Sequence, residues 1–533
     1  MRKTFAVLGC AAAVAGLVLA ECSPSTIAAG GITVKETPLY KPDAAAIPST
    51  VVEAAGAKRF AYAMRRGAKQ VPVVDGVAGK EYDKIRVAES EDTYTTADQF
   101  GRKMSVGLIG GTPSFSPGGK RFEFIASRAG KWLVVLDGIE GNAYADVRGF
   151  RWSRAGDRAS YVAAKGRAEC VVVDGVEGKA YDSVHQLMFG PDGRLYYVAR
   201  SGGNSFFVSE GKESAPYDDI GREIAFAPDG KHFAFAGRRE GKCYAVVDGK
   251  DRGGFDDMRM DLPVALSADG KRYACLVYAE KTNHVVIDDI MSKACHSFTS
   301  VSFSPDGSRV GFVASLYLLN PDGTLRRDYD YRNTVVVDGV ESAGYDWVKN
   351  FAWSPDSKHA AYGARVDKNK WAVVVDGTVG ARYDEVSAPF FSADSAHVTY
   401  NASLGGTHMV VTDGREAKLG GCDGTRTPEL TGISGGRHFV FVAESRAQNA
   451  IVVDGKLGKY YDSVDASSLA WSPGAEHFAY WVVAAGMKYL VVDGFETRGY
   501  MHEADKPVFS DEKTVRSCVK DGGRVILIEV TIH

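Results

Sequence analysis

The chain has 533 residues, of which 45% are hydrophobic, 11% aromatic and 25% charged, the composition of a folded protein with a large core. Its formal net charge is only −3, with both signs interspersed, so no global field favours a nucleic acid or an anionic membrane surface. The 60 glycines point to many tight turns.

The chain begins "MRKTFAVLGCAAAVAGLVLA", a basic start followed by an apolar run from Phe5 to Ala20. Residues 1–20 read as a signal peptide: the run ends in small residues, and its roughly 16 residues fall short of the roughly 20 a helical span requires. Cys22 raises the alternative of a lipid anchor, against which Glu21 stands where such sites take a small residue. No later run is long enough to span a bilayer, so the expectation is an exported protein, periplasmic or secreted, with no integral membrane span once the signal is removed. The eight cysteines are scattered without a CxxC pair, which excludes a zinc ribbon or a thioredoxin-like site and leaves any pairing open.

From Ser49 onward a repeat governs the chain. One anchor is an acidic residue and glycine after a valine-rich run, at Asp75, Asp137, Asp174, Glu210, Asp248, Asp338, Asp376, Asp413, Asp454 and Asp493, with Asp288 in the same place. A second anchor lies between them: "FSPGGK" at Phe115, "FAPDGK" at Phe226, "FSPDGS" at Phe303 and "WSPDSK" at Trp353 are examples. Most intervals are about 38 residues, which marks a repeat architecture. Each unit reads as four short strands. In the unit from His185 to Ile220, "HQLMFG", "RLYYVAR" and "SFFVSEG" are strands separated by Pro/Gly turns, and "PYDDI" leads out of the unit. Consecutive β-branched runs such as "CVVVDG" suit a strand covered on both faces. Units of this kind build β-propeller blades.

"FSPDGSRVGFVAS" (Phe303–Ser315) and "FAPDGKHFAFAG" (Phe226–Gly237) resemble the WD40-like, TolB-type (PD40) propeller repeat, and the resemblance extends over nearly all of residues 49–533. It implies an all-β protein of about twelve four-stranded blades. It stops short of TolB itself, since nothing here resembles that protein's separate α/β domain, and the "VVVDG…YD" pattern is not its usual third-strand signature. Because propellers usually hold roughly 4–8 blades, the expected arrangement is two six-bladed rings, residues 49–298 and 299–533, after an N-terminal segment 21–48. A split of seven and five, or one large ring, stays open. The last unit has three strands, and "ITVKETPLY" (Ile32–Tyr40) is expected to supply its missing outer strand.

The sites that attract attention dissolve into the repeat. "GISGG" at Gly432–Gly436 fits a serine nucleophile pattern, yet Ser434 stands where other units place a hairpin turn. His284, Asp288, Asp289, Cys295 and His296 crowd unit six without metal-ligand spacing, so no metal, no cofactor and no catalytic residue is assigned. "VVVDGVEGKAYD" (Val171–Asp182) recurs in its Tyr-Asp at Tyr82, Tyr217, Tyr345, Tyr383 and Tyr461, which makes it a building element rather than a ligand site.

Function is expected where the repeat breaks. About 25 extra residues lie within Arg86–Thr112, including Tyr94 and Phe100, and about 13 lie within Ser315–Asn333. Tyr317, Arg326, Arg327, Tyr329 and Tyr331 in the second insertion are residue types that dominate binding interfaces. Both insertions are assigned to loops on one face, the first to the connection between units one and two. The leading expectation is an exported, non-enzymatic binding or scaffold protein that uses this loop-rich face for a protein or cell-envelope partner. The alternative is a propeller enzyme or glycan-binding protein, of the lyase or glycosidase class, with a site in a central pocket.

Overall fold

The structure is a computed structural model and describes residues 25–29, 31–40, 46–47, 52–54, 59–86, 93–97, 103–107, 113–279, 282–317, 331–392, 394–418, 440–445, 448–454, 456–501, 504–521 and 524–533. Every regular element among them is a strand, and no helix among them is long and apolar enough to cross a membrane. The strands form twelve antiparallel blades in a ring, a β-propeller, numbered in chain order from Val52, so that blade 2 begins at Lys84, blade 3 at Asp146, blade 4 at Ser183, blade 5 at Asp219, blade 6 at Asp257, blade 7 at Ser297, blade 8 at Trp347 and blade 11 at Ser463.

Blade 3 illustrates the unit: Asp146–Trp152, Ala159–Lys165, Ala168–Val173 and Val176–Tyr181 pair in order from the innermost strand outward. Two turns set that order. In the first-to-second turn, the Ser153 hydroxyl accepts the Arg158 N–H at 3.1 Å and donates to Asp157 at 2.7 Å. In the third-to-fourth turn, Asp174 (φ 50°) and Gly175 (φ 83°) both take the positive φ of a type I′ hairpin. Asp174 offsets its strained backbone by accepting the Ala159 N–H at 2.8 Å and meeting Arg158 at 3.3 Å.

A blade is one layer thick, so its core lies between it and its neighbours. Cys170 and Val172 join the cluster shared with blade 2, whereas Val171 joins the one shared with blade 4. Alternation in a strand sends neighbouring side chains to opposite faces, which is why the third strand is apolar at the consecutive positions Cys170, Val171 and Val172.

The expected ring-closing strand is present. Ile32–Tyr40 pairs with Arg524–Ile532, with Glu36 opposite Ile528, and Ser25–Ala29 adds a fifth strand outside it. The expected boundary near residue 299 falls in Ser297–Phe303, the first strand of blade 7, and the turn that contacts blade 6 there repeats a contact made between other blades. Arg272 Nη1 donates to the Ser308 carbonyl at 2.6 Å, as Arg309 does to Lys358 between blades 7 and 8. Gly307 (φ 76°) is required there, because a Cβ would lie 2.8 Å from Ser267 Cβ of the preceding blade.

The first insertion sits differently from expectation. Lys84–Ile85 and Ser114–Phe115 both pair with Phe122–Arg128, so the extra residues interrupt the innermost strand of blade 2 rather than joining two blades. Inner strands elsewhere carry a register break at the same level, as between Arg148 and Arg151, and the insertion enlarges that break. Part of it forms a hairpin, Thr93–Ala97 with Lys103–Gly107.

Candidate functional site

The repeated tyrosine is an inter-blade latch. It leaves the outer strand of one blade and donates its hydroxyl to an acid on the outer strand of the next. The bonds are Tyr82 to Glu140 (3.0 Å), Tyr144 to Glu177 (2.8 Å), Tyr217 to Asp251 (2.5 Å), Tyr383 to Glu416 (3.0 Å), Tyr461 to Glu496 (2.9 Å) and Tyr500 to Glu36 (2.7 Å). All six tyrosines are buried, and desolvation holds their phenols well above the ordinary range. A basic residue two positions before the tyrosine often holds the same acid, as Lys459 holds Glu496 and Arg498 holds Glu36, both at 2.7 Å. The aspartate after the tyrosine ties down the next hairpin: Asp182 accepts the Gly202 N–H at 2.8 Å, and Asp384 accepts that of Gly405 at 2.7 Å.

Between blades 6 and 7 both members of the pair are replaced. Cys295 bridges Asn283 in the register that Tyr144 has with Trp132 and Tyr345 has with Asn333, so it occupies the latch position, and His296 occupies the aspartate position. Cys295 is buried, its thiol directed at the Asn283 carbonyl (3.4 Å), and burial pushes that thiol up to about 11. The acid of the latch is still present. Glu341 accepts from Lys293 Nζ at 2.9 Å and receives no tyrosine.

A cavity of about 550 Å³ fills the space, with Phe312, Ala314, Leu316 and Val336 on its apolar wall and Lys293, Cys295 and Glu341 near its outer edge. Its size lies in the range of small-ligand pockets.

Blade 5 provides a contrast. Phe255 stands in the latch position there and Met291 in the acid position of the next blade, so the hydroxyl and the acid are lost together. At blade 6 the tyrosine is lost and the acid is kept.

Among the residues expected to bind a partner, Tyr331 is described in full. It is 42% exposed and stacks on His296, with ring centroids 5.0 Å apart. Tyr317 pairs with it in register at the base of the hairpin. Arg326, Arg327, Tyr329 and Phe100 lie outside the described residues, as do the signal segment, Cys22 and Ser434. Tyr94 lies on the hairpin inserted into blade 2, away from blade 7 in sequence and in sheet. The structure therefore joins His296 to Tyr331, and it adds Glu341 and the cavity, which the sequence reading did not single out. The signal was present, because the series of Tyr-Asp pairs is interrupted by Cys295-His296 directly before the longest hairpin.

Several inner-strand charges are already engaged. Arg148 meets Glu169 at 2.6 Å, Arg259 meets Asp261 at 2.7 Å, and Lys349 lies 4.3 Å from the centre of the Trp371 ring. Among the described residues no group of three His, Cys, Asp or Glu side chains is arranged to hold a metal ion.

No family model matches the chain, and no curated protein does. Among solved structures it is similar to TolB from Acinetobacter baumannii, at 15% identity and a TM-score of 0.21, over 44% of this chain and 62% of that one. It is also similar to the Dos1 propeller, at 10% identity and a TM-score of 0.26, over 56% and 90% of the two chains. An acylaminoacyl peptidase from Pyrococcus horikoshii matches at 14% identity and a TM-score of 0.27, over 54% and 55%. The chain thus spans about three fifths of the TolB structure's length, 62%. These likenesses concern the propeller fold alone.

Proposed function

We propose that this protein is an exported, non-enzymatic binding or scaffold protein that receives a protein or cell-envelope partner on the hairpin of blade 7. One observation carries the reading. At the start of blade 7 the aspartate that elsewhere ties down a short hairpin is replaced by His296, which instead stacks on exposed Tyr331 at the root of a long one. An exposed aromatic held rigidly by a second ring loses little entropy on binding, which suits a contact anchor. The basic, apolar residues 1–20 support export to the periplasm or beyond.

The test is capture from an envelope extract of the source cells, with the intact protein compared against Tyr331→Ala and against a chain whose residues 318–330 are replaced by a two-residue Asn-Gly turn. A partner retained by the intact protein and lost by both variants, with thermal unfolding unchanged, supports the reading. Equal recovery by all three overturns it.

A further inference from the structure

The cavity between blades 6 and 7 lies beside Cys295, where other blades place a tyrosine. At six other tyrosine positions the ring meets an aromatic residue of the next blade edge-on. The pairs Tyr82–Phe124, Tyr144–Tyr161, Tyr181–Tyr197, Tyr217–Phe235, Tyr345–Tyr362 and Tyr383–Tyr400 have centroids 5.5 to 6.3 Å apart at 66° to 87°. Phe312 holds the corresponding place in blade 7 and lines the cavity. Glu341 holds the place of the acceptor, and Lys293 holds it as Lys459 holds Glu496. The aromatic wall, the acceptor and its lysine are therefore all in position, while Cys295 leaves the ring's space open.

We propose that this cavity binds a small phenolic molecule, whose ring lies against Phe312 and whose hydroxyl donates to Glu341. The occupant is argued from the chain's own chemistry: six buried phenols occupy equivalent slots with the same donor-to-acid bond. The cavity's volume of about 550 Å³ also leaves room for a substituent on the ring, so the ligand class is a substituted phenol rather than a bare one. Edge-to-face contact supplies the ring's attraction, and a hydrogen bond to a carboxylate discriminates a phenol from an unhydroxylated arene. The site is separate from the proposed partner contact, which uses the hairpin and not the cavity.

The experiment uses the full chain after signal removal and titrates it with p-cresol, the tyrosine side chain as a free molecule, and with toluene as the arene lacking the hydroxyl. Calorimetry or ligand-observed NMR is expected to show saturable binding of p-cresol, with toluene weaker by about tenfold. Cys295→Tyr restores the internal ring and is expected to abolish p-cresol binding while raising or preserving thermal stability. Glu341→Gln changes a partly exposed side chain, keeps the fold, and is expected to shrink the preference for p-cresol over toluene at least several-fold. The proposal is overturned by any of three outcomes: no saturable p-cresol binding, unchanged binding in a folded Cys295→Tyr protein, or an undiminished hydroxyl preference in Glu341→Gln.

Discussion

Tyr500 donates its hydroxyl to Glu36 at 2.7 Å across 464 residues of sequence, and the same carboxylate accepts two hydrogen bonds from Arg498, at 2.7 and 3.0 Å. This is the repeated latch with one difference: the acid is supplied by the N-terminal strand. Ring closure therefore rests on the hydrogen bonds between Ile32–Tyr40 and Arg524–Ile532 and on one buried acid that docks the composite blade onto blade 11.

Replacing Glu36 by Ala leaves the Tyr500 hydroxyl and part of the Arg498 guanidinium without their acceptor. The expected cost is about 3 kcal/mol of unfolding free energy, read from denaturant midpoints. Tyr500→Phe is expected to cost less, and the double variant less than the sum, since both changes remove one interaction. Strict additivity would show that the two residues do not act together.

An ordinary latch separates the hydroxyl from the ring. Glu177 also meets Lys165 and Asn142, and the Lys165 contact is the main cause holding its carboxyl below the usual range. Tyr144→Phe should thus cost only about 1 kcal/mol, whereas Tyr144→Ala opens a cavity against Tyr161 and should cost about 3 to 5 kcal/mol. Equal losses in thermal denaturation would contradict this account.

Glu123 gives the protein a pH dependence opposite to that of most carboxylates. It is 2% exposed, accepts from Ser114 at 2.8 Å through one oxygen, and its other oxygen has no partner. Burial pushes its carboxyl up to about 8. With its folded pKa above its unfolded one, the native state holds the proton more tightly. Its contribution is fully present below the unfolded value, near pH 4.5, and is lost as pH rises toward 8. Relative to Glu123→Gln, the native protein should lose up to about 1.4 kcal/mol of stability per pH unit across that window. A flat difference between the two proteins from pH 5 to pH 8 would remove Glu123 as the cause.

Cys170, Cys243, Cys275 and Cys295 are unpaired and buried. Burial raises the thiols of Cys170, Cys243, Cys275 and Cys295, so little thiolate exists near neutrality. Iodoacetamide at pH 7.5 is expected to leave these four unmodified in the native protein and to alkylate all four in guanidinium, as peptide mass spectrometry would show. Rapid native labelling of Cys295 would mean that the cavity wall opens.

What the sequence determined by itself was the repeat: strand, Ser-Pro-Asp-Gly turn, strand, valine run, Asp-Gly turn, outer strand. Each of these is local chemistry, with positive φ at Asp174–Gly175 and two-sided burial at Val171–Val172, and local chemistry is legible in one dimension. The closing strand was legible too, because a three-stranded last unit needs a partner. Only the tertiary structure decided what the tyrosines are for, since each one's acid lies on the next blade, some 33 residues onward for Tyr144 and Glu177. The same holds for the insertion at residues 87–112, which hydrogen bonding places inside an inner strand although spacing alone placed it between blades. It holds most of all for Cys295. In sequence it is one departure from a repeated residue type, and in the ring its small side chain leaves Glu341 and Phe312 facing an open slot.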